Sequence, residues 1–244
     1  MPNPFKRFVA IGCTHGELVD QDAFAAVMGF CGRYKPHTRI HLGDIGDYAA
    51  FRTGARGTSD EARQLGPDIR ASSGLIAEYR PTHVLIGNHD VRIFKQSEST
   101  NALVALAAGH ARNEFLTACE KAKVKVLVDH YDINRSWITL GDTKFLHGFM
   151  YGEQGLRDHA EHFGKCVVAH MHKPGVAAGR RSDHPTAYCV GTLANIGAMD
   201  YACTRRATAA WAHGFVFGEY NDTECHINLS QAEPNKAGSW RLPL

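Results

Sequence analysis

The sequence predicts an α/β domain whose second half is built mainly from strands. Three observations support this. Apolar strand-like runs alternate with amphipathic helical ones through the first half. The early runs each end in a loop of glycine and polar residues. After about residue 120 the texture changes to short apolar runs with few helices between them. A chain of 244 residues, 44% apolar and 21% charged, is long enough to bury a core as one large domain.

The elements follow in order. Residues 8–11 are an apolar strand that ends in Gly12-Cys13-Thr14-His15-Gly16. Residues 21–34 place Phe24, Val27, Met28 and Cys31 on one helical face, and Lys35-Pro36 ends that helix. Residues 38–42 form the second strand, which runs into Gly43-Asp44-Ile45-Gly46-Asp47. Residues 58–80 read as mostly helical, with a break near Gly66-Pro67. Residues 83–86 form the third strand, followed by Gly87-Asn88-His89-Asp90. Residues 100–120 are an Ala-rich helix with Leu103, Leu106 and Ala107 expected on its apolar face. Short strands are then expected at 124–128, 137–140, 144–146, 167–169, 187–190 and 215–217, with one helix at 153–163. This β-rich half suggests a second sheet packed on the first. Residues 1–230 are read as a single domain. Residues 231–244 are read as an extended arm whose Trp240, Leu242 and Leu244 pack on the body or on a neighbouring subunit, so an oligomer can form through it.

Composition narrows the function classes. A net charge of +2 argues neither for nor against nucleic acid. Seven scattered cysteines without a CxxC pair suggest reduced thiols in a cytoplasmic compartment. No apolar run approaches the roughly 20 residues that span a membrane, so no membrane partner is expected.

The strand-end loops hold Cys13 and His15; Asp44 and Asp47; and Asn88, His89 and Asp90. Two later strands end in His147-Gly148 and in His170-Met171-His172. Five apolar runs thus end in metal-ligand residue types, and strand carboxyl ends in an open α/β sheet converge on one crevice. Carboxylate, amide oxygen and imidazole suit divalent ions, so a shared dinuclear site is expected, with Asp44 the natural bridge. Spacing of two in Cys13-x-His15 and His170-x-His172 would put both side chains of each pair on one face of an extended chain. Asp44 and Asp47 then hold something rather than merely solubilise a turn. The remaining histidines, His37, His41, His83, His110, His159, His162, His184 and His226, are read as surface or packing residues, and His130 and His213 are set aside with them.

This ordered set resembles the calcineurin-like metallophosphoesterase superfamily, whose pattern is DxH, GDxxD, GNHD/E, H and GHxH. Here it reads Cys13-Thr14-His15, Gly43-Asp44-Ile45-Gly46-Asp47, Gly87-Asn88-His89-Asp90, His147, and Ala169-His170-Met171-His172. The likeness runs from about residue 8 to 218, and the texture is similar to small members found in bacteria and their phages. It implies a two-sheet αββα sandwich. It implies that His15, Asp44 and His172 hold one metal ion together with whatever Cys13 contributes, and that Asp44, Asn88, His147 and His170 hold a second. It also implies that His89 protonates the leaving oxygen and that Asp47 orients its ring. The cofactors would be two divalent ions such as Mn, Zn, Fe or Ni. The substrate would be a phosphate ester, with a nucleotide or nucleic-acid diester, a small-molecule monoester and a non-catalytic scaffold as the competing readings.

Two departures stand out. Cys13 replaces the usual first Asp. It can bind as a thiolate, stand off behind a water, or leave that site weak. The arginines that clamp phosphate in the protein phosphatases of this superfamily are absent: Tyr48 and Ile86-Gly87 stand there, which counts against a protein phosphatase. Arg52, Arg56, Arg92, Arg180 and Arg181 are the remaining candidates for substrate contact.

Overall fold

The computed structural model describes residues 4–55, 57–199, 208–232, 240, 242 and 243. One sheet holds β1 (Lys6–Ile11), β2 (Thr38–His41), β3 (His83–Leu85) and β4 (Val126–Val128), all parallel. The helices α1 (Gln21–Tyr34), α2 (Leu65–Tyr79), α3 (Val91–Gln96) and α4 (Ala102–Lys121) connect them. The second sheet holds β5 (Trp137–Leu140), β6 (Thr143–Leu146), β7 (Cys166–Val168), β8 (Gly175–Ala178) and β9 (Thr186–Cys189), in the order β5-β6-β7-β9-β8, with α5 (Gly155–Phe163) between β6 and β7. The chain then returns to the first sheet as β10 (Gly214–Tyr220) and β11 (Cys225–Gln231), completing the order β11-β10-β1-β2-β3-β4.

Strand alternation explains the layers. On β1, Phe8 and Ala10 face the second sheet, in a core with Leu42, Phe145, Val167 and Val190. Val9 and Ile11 face outward onto Phe24, Val27 and Phe30 of α1. On the far side, Leu146, Cys166 and Val168 pack against Ala160 and Phe163 of α5. The result is helix, sheet, sheet, helix, as the resemblance implied. Both sheets send parallel strands toward one edge: β1, β2 and β3 from one, β6 and β7 from the other. Helix ends are set locally. The Asp20 side chain accepts from Ala23 N–H to start α1, and Asn101 does the same for Leu103 and Val104 on α4.

Several elements differ from expectation. Leu103 and Leu106 are 78% and 72% exposed. The buried face of α4 is Ala108, Ala111, Phe115, Ala118 and Cys119, because small residues let the helix approach α2 and α3 closely. The helical stretch 58–80 splits into a short 3-10 turn (Ser59–Ala62) and α2, which starts at Leu65 with Pro67 in its first turn, where a missing N–H costs nothing. α3, β8 and β11 were not anticipated. Gln231, the expected first residue of the arm, is the last residue of β11. Of the arm itself, Trp240 donates from Nε1 to Ser230 Oγ (3.1 Å) and Leu242 packs beside the α1 core. Leu244, Arg56 and Cys203 lie outside the described residues. No helix among the described residues is long and apolar enough to cross a membrane.

Candidate metal centre

The loops after β1 and β2 are laced together. Cys13 N–H donates to Gly43 O (2.9 Å), Thr14 and His15 N–H both donate to Asp44 O (3.0 Å each), and Gly16 N–H donates to Ile45 O. The Asp90 carboxylate then clamps two loops at once: it accepts from Ile45 and Gly46 N–H and from Gly87 N–H, all between 2.9 and 3.2 Å. Gly43 is needed where it stands. Its φ is +103°, and a Cβ there would lie 2.5 Å from Gly87 N.

The backbone of the paired ligands corrects the expectation of an extended chain. Cys13, His15, Asp44, His170 and His172 all have φ between 53° and 58°. Left-handed backbone costs an ordinary L-residue about 1–2 kcal/mol, and a cluster of such residues in one place is the usual mark of a functional site. The side chains converge because alternate residues turn back, not because an extended strand aligns them.

Two groups of donor atoms share Asp44. Ligand atoms of Cys13, His15, Asp44 and His172 lie within 4.8 Å of one another, and so do those of Asp44, His147 and His170. Asn88 joins the second group: its Oδ1 is 2.8 Å from His170 Nδ1 and 3.0 Å from His147 Nε2. Among these residues Asp44, His15, His147, His172 and Cys13 are almost wholly buried. His89 N–H fixes Asp44 by donating to its Oδ1 (2.9 Å).

The donor chemistry fits metal ions. His147 Nδ1 donates to Leu42 O (2.8 Å), which turns its Nε2 toward Asn88 Oδ1 and Asp44 Oδ2 (3.2 Å). His15 Nδ1 donates to Asp47 Oδ1 (3.0 Å), which leaves its Nε2 bare and 3.0 Å from His172 Nε2. His172 Nδ1 is buried with no hydrogen-bond partner. Thiol, carboxylate, amide and imidazole groups thus point at one another in a buried space, a donor set that suits divalent ions. Electrostatics agree. Burial holds His15 and His172 below the ordinary histidine range and pulls His170 down to about 3, so these rings stay neutral, the form that ligates metal. Burial would raise Asp44, yet His147 and His89 bring it well below the usual carboxylate range.

A third cluster, His15, Asp47 and His89, also lies within 4.8 Å, but hydrogen bonds account for it. Asp47 Oδ1 accepts from His15 Nδ1 and, at 2.9 Å, from His89 Nδ1. Asp47 O also faces His89 Nδ1 (3.0 Å) and accepts from Arg92 Nη1 (2.8 Å). Burial works against ionisation of Asp47, but the two imidazole hydrogen bonds hold it far below its ordinary value. Burial likewise opposes charge on His89, and Asp44 and Asp47 outweigh it, so its pKa is raised. This cluster is an ion-paired relay.

All nine residues singled out in the sequence therefore meet at one crevice: Cys13, His15, Asp44, Asp47, Asn88, His89, His147, His170 and His172. His41 and His159 are buried and structural. His41 Nδ1 accepts from Gly43 N–H, and His159 Nε2 accepts from Phe149 and Met150 N–H. Of the candidate arginines among the described residues, Arg92 reaches this cluster; Arg52 pairs with Asp60 and Arg181 with Asp183. Sequence reasoning missed two participants. Asp90 was visible within GNHD, without its clamping role. Arg63, which donates from Nη1 to Asp47 Oδ2 (3.2 Å), carried no motif.

The calcineurin-like phosphoesterase family matches residues 6–204. The chain is 28% identical over 230 residues to the gene 54 protein of Mycobacterium phage D29, covering 86% of this chain and 87% of that protein. It is 27% identical over 232 residues to the gene 54 protein of Mycobacterium phage L5, covering 86% and 88%. Its fold is similar to that of a metallophosphoesterase from Sphaerobacter thermophilus, with a TM-score of 0.53, 18% identity and coverage of 95% and 90%. The chain belongs to the calcineurin-like phosphoesterases, and with its candidate ligand clusters it is a metal-dependent hydrolase of phosphate esters.

Proposed function

We propose that the protein is a phosphodiesterase acting at a dinuclear centre, with a nucleotide or nucleic acid as the substrate class. Cys13, His15, Asp44 and His172 would hold one divalent ion, and Asp44, Asn88, His147 and His170 the other. A buried thiol among the donors favours a borderline-soft ion such as Zn²⁺ or Fe²⁺ over Mg²⁺ at the first position. When bound, such ions supply a water acidic enough to attack phosphorus and neutralise charge on the phosphoryl oxygens.

The chain's own residues do the rest. His89 is held through Nδ1 by Asp47, which leaves Nε2 for the leaving oxygen. Asp44 and Asp47 raise its pKa, which favours the protonated ring that can donate to the leaving oxygen as the ester bond breaks. The observation that carries the diester reading concerns the cations. Tyr48 and Ile86, which occupy the clamp positions, are buried in the core, and Arg63 and Arg92 both reach Asp47. A dianionic monoester calls for cationic clamping of its terminal oxygens more than a monoanionic diester does.

The test compares bis(p-nitrophenyl) phosphate with p-nitrophenyl phosphate on metal-loaded protein. The diester should be the better substrate, and His89→Ala should lower its turnover by about 100-fold or more. Preference for the monoester would overturn the diester reading. Unchanged turnover in His89→Ala would overturn the role of His89.

A further inference from the structure

We propose that Arg63 is a positioning residue for proton transfer: it fixes the rotation of the Asp47 carboxylate and, through it, the ring of His89. This rests on the role proposed for His89 and adds a residue that no motif marks.

The geometry around Asp47 separates backbone from side chain. Its N–H and that of Tyr48 donate to Asp68 of α2 (3.3 and 2.6 Å). Its carbonyl accepts from Arg92. Neither anchor involves Arg63, so the Asp47 backbone is held without it. The carboxylate is a different matter. Oδ1 serves two imidazoles at once, His15 at 3.0 Å and His89 at 2.9 Å. The last torsion of an Asp side chain is soft and nearly two-fold, so two donors on one oxygen do not by themselves fix the plane. Arg63 Nη1 holds the other oxygen, Oδ2, at 3.2 Å. With that anchor gone the carboxylate can turn and give one oxygen to each ring. His89 Nδ1 would then keep the Asp47 carbonyl (3.0 Å) as its fixed partner, and the orientation that aims Nε2 into the crevice would loosen.

Arg63 is placed for this work rather than for substrate. It lies between the 3-10 turn at Ser59–Ala62 and α2, behind Asp47. The space beside it is bordered by Glu17, Asp47 and Asp68, an acidic lining that disfavours a phosphate ester. The guanidinium makes a single-pronged contact to Asp47, so one positive donor at that reach is what the role requires.

Leaving-group dependence isolates the function. Metal-loaded wild type, Arg63→Met, Arg63→Lys and His89→Ala would be assayed on methyl aryl phosphodiesters and aryl phosphates with p-nitrophenol or phenol as the leaving group. Arg63→Met keeps the apolar stem and removes the charge. It should lower kcat with KM nearly constant, and the loss should be about tenfold greater for phenol, which needs a proton to depart, than for p-nitrophenol. Arg63→Lys should recover most of the difference. An Arg63→Met loss equal for both leaving groups, or no loss at all, would overturn the proposal while a steep leaving-group dependence in His89→Ala left the His89 reading intact. A flat dependence in His89→Ala would overturn that reading and the Arg63 proposal with it. Thermal midpoints of the four proteins separate misfolding from misorientation, and Arg63→Lys supplies the comparison if Arg63→Met is unstable.

Discussion

Cys13 stands where the family pattern has aspartate, and its surroundings are unusual for a structural thiol. The side chain is wholly buried, its sulfur accepts from His170 N–H (3.2 Å), and it shares a ligand group with a carboxylate and two imidazoles. Burial, reinforced by Asp44, pushes the thiol well above its ordinary pKa, so it stays protonated until a cation displaces the proton. Metal-free protein loaded with Co²⁺ should therefore show a near-ultraviolet sulfur-to-cobalt charge-transfer band. Cys13→Ser should abolish that band while leaving the visible cobalt absorption, as recorded by absorption spectroscopy. An unchanged spectrum in the serine variant would place the sulfur off the metal. Residues of this kind were legible in the sequence because each ends an apolar run and the chemistry of its side chain is distinctive. Arg63 was not legible: it lies 16 positions from its partner Asp47, and nothing local marks a guanidinium that faces inward.

The loops of the site are held by elements that never touch a ligand atom directly. Asp90 is the main example, accepting three backbone N–H groups from two loops in a fully buried setting. Asp90→Ala would leave those donors without partners, each worth about 1–3 kcal/mol when stranded. Urea unfolding should show a loss of at least about 3 kcal/mol, the low end for three stranded donors, in metal-free and metal-loaded protein alike. At this scale β1 and β3 of the first sheet were readable from their apolar runs, and β2 from the short run that ends in Leu42. The elements missed are those with weak local patterns. β8 is a half-exposed strand of four small residues, β11 alternates polar and apolar at an edge, and α3 is six residues long, too short for a helical period to repeat. On α4 large leucines were favoured over alanines as the buried face, and the close approach of neighbouring helices selected the alanines.

Across the whole molecule, the αββα sandwich brings five separate strand ends to one crevice, and this long-range convergence gives the ligand residues their meaning. Alternation of runs predicted two layers of strands, but not that β10 and β11 return to the first sheet, since only distant pairing with β1 decides it. Acid stability is also a property of the whole fold. Burial, first, holds His159 at about 4 against an ordinary 6.5, because its Nε2 must stay bare to accept two backbone N–H groups. A depressed pKa gives stability that is present above 6.5 and lost as pH falls toward 4, by up to about 3 kcal/mol for such a shift. Thermal midpoints of wild type should fall over this range more steeply than those of His159→Gln, and parallel curves would refute the assignment. The most direct test of the account is a Co²⁺ titration of metal-stripped protein, followed at once by absorbance and by hydrolysis of bis(p-nitrophenyl) phosphate. Two ligand groups sharing Asp44 predict that activity is absent without metal and reaches its plateau only when two ions are bound per chain. Activity in the stripped protein, or a plateau at one ion, would contradict it.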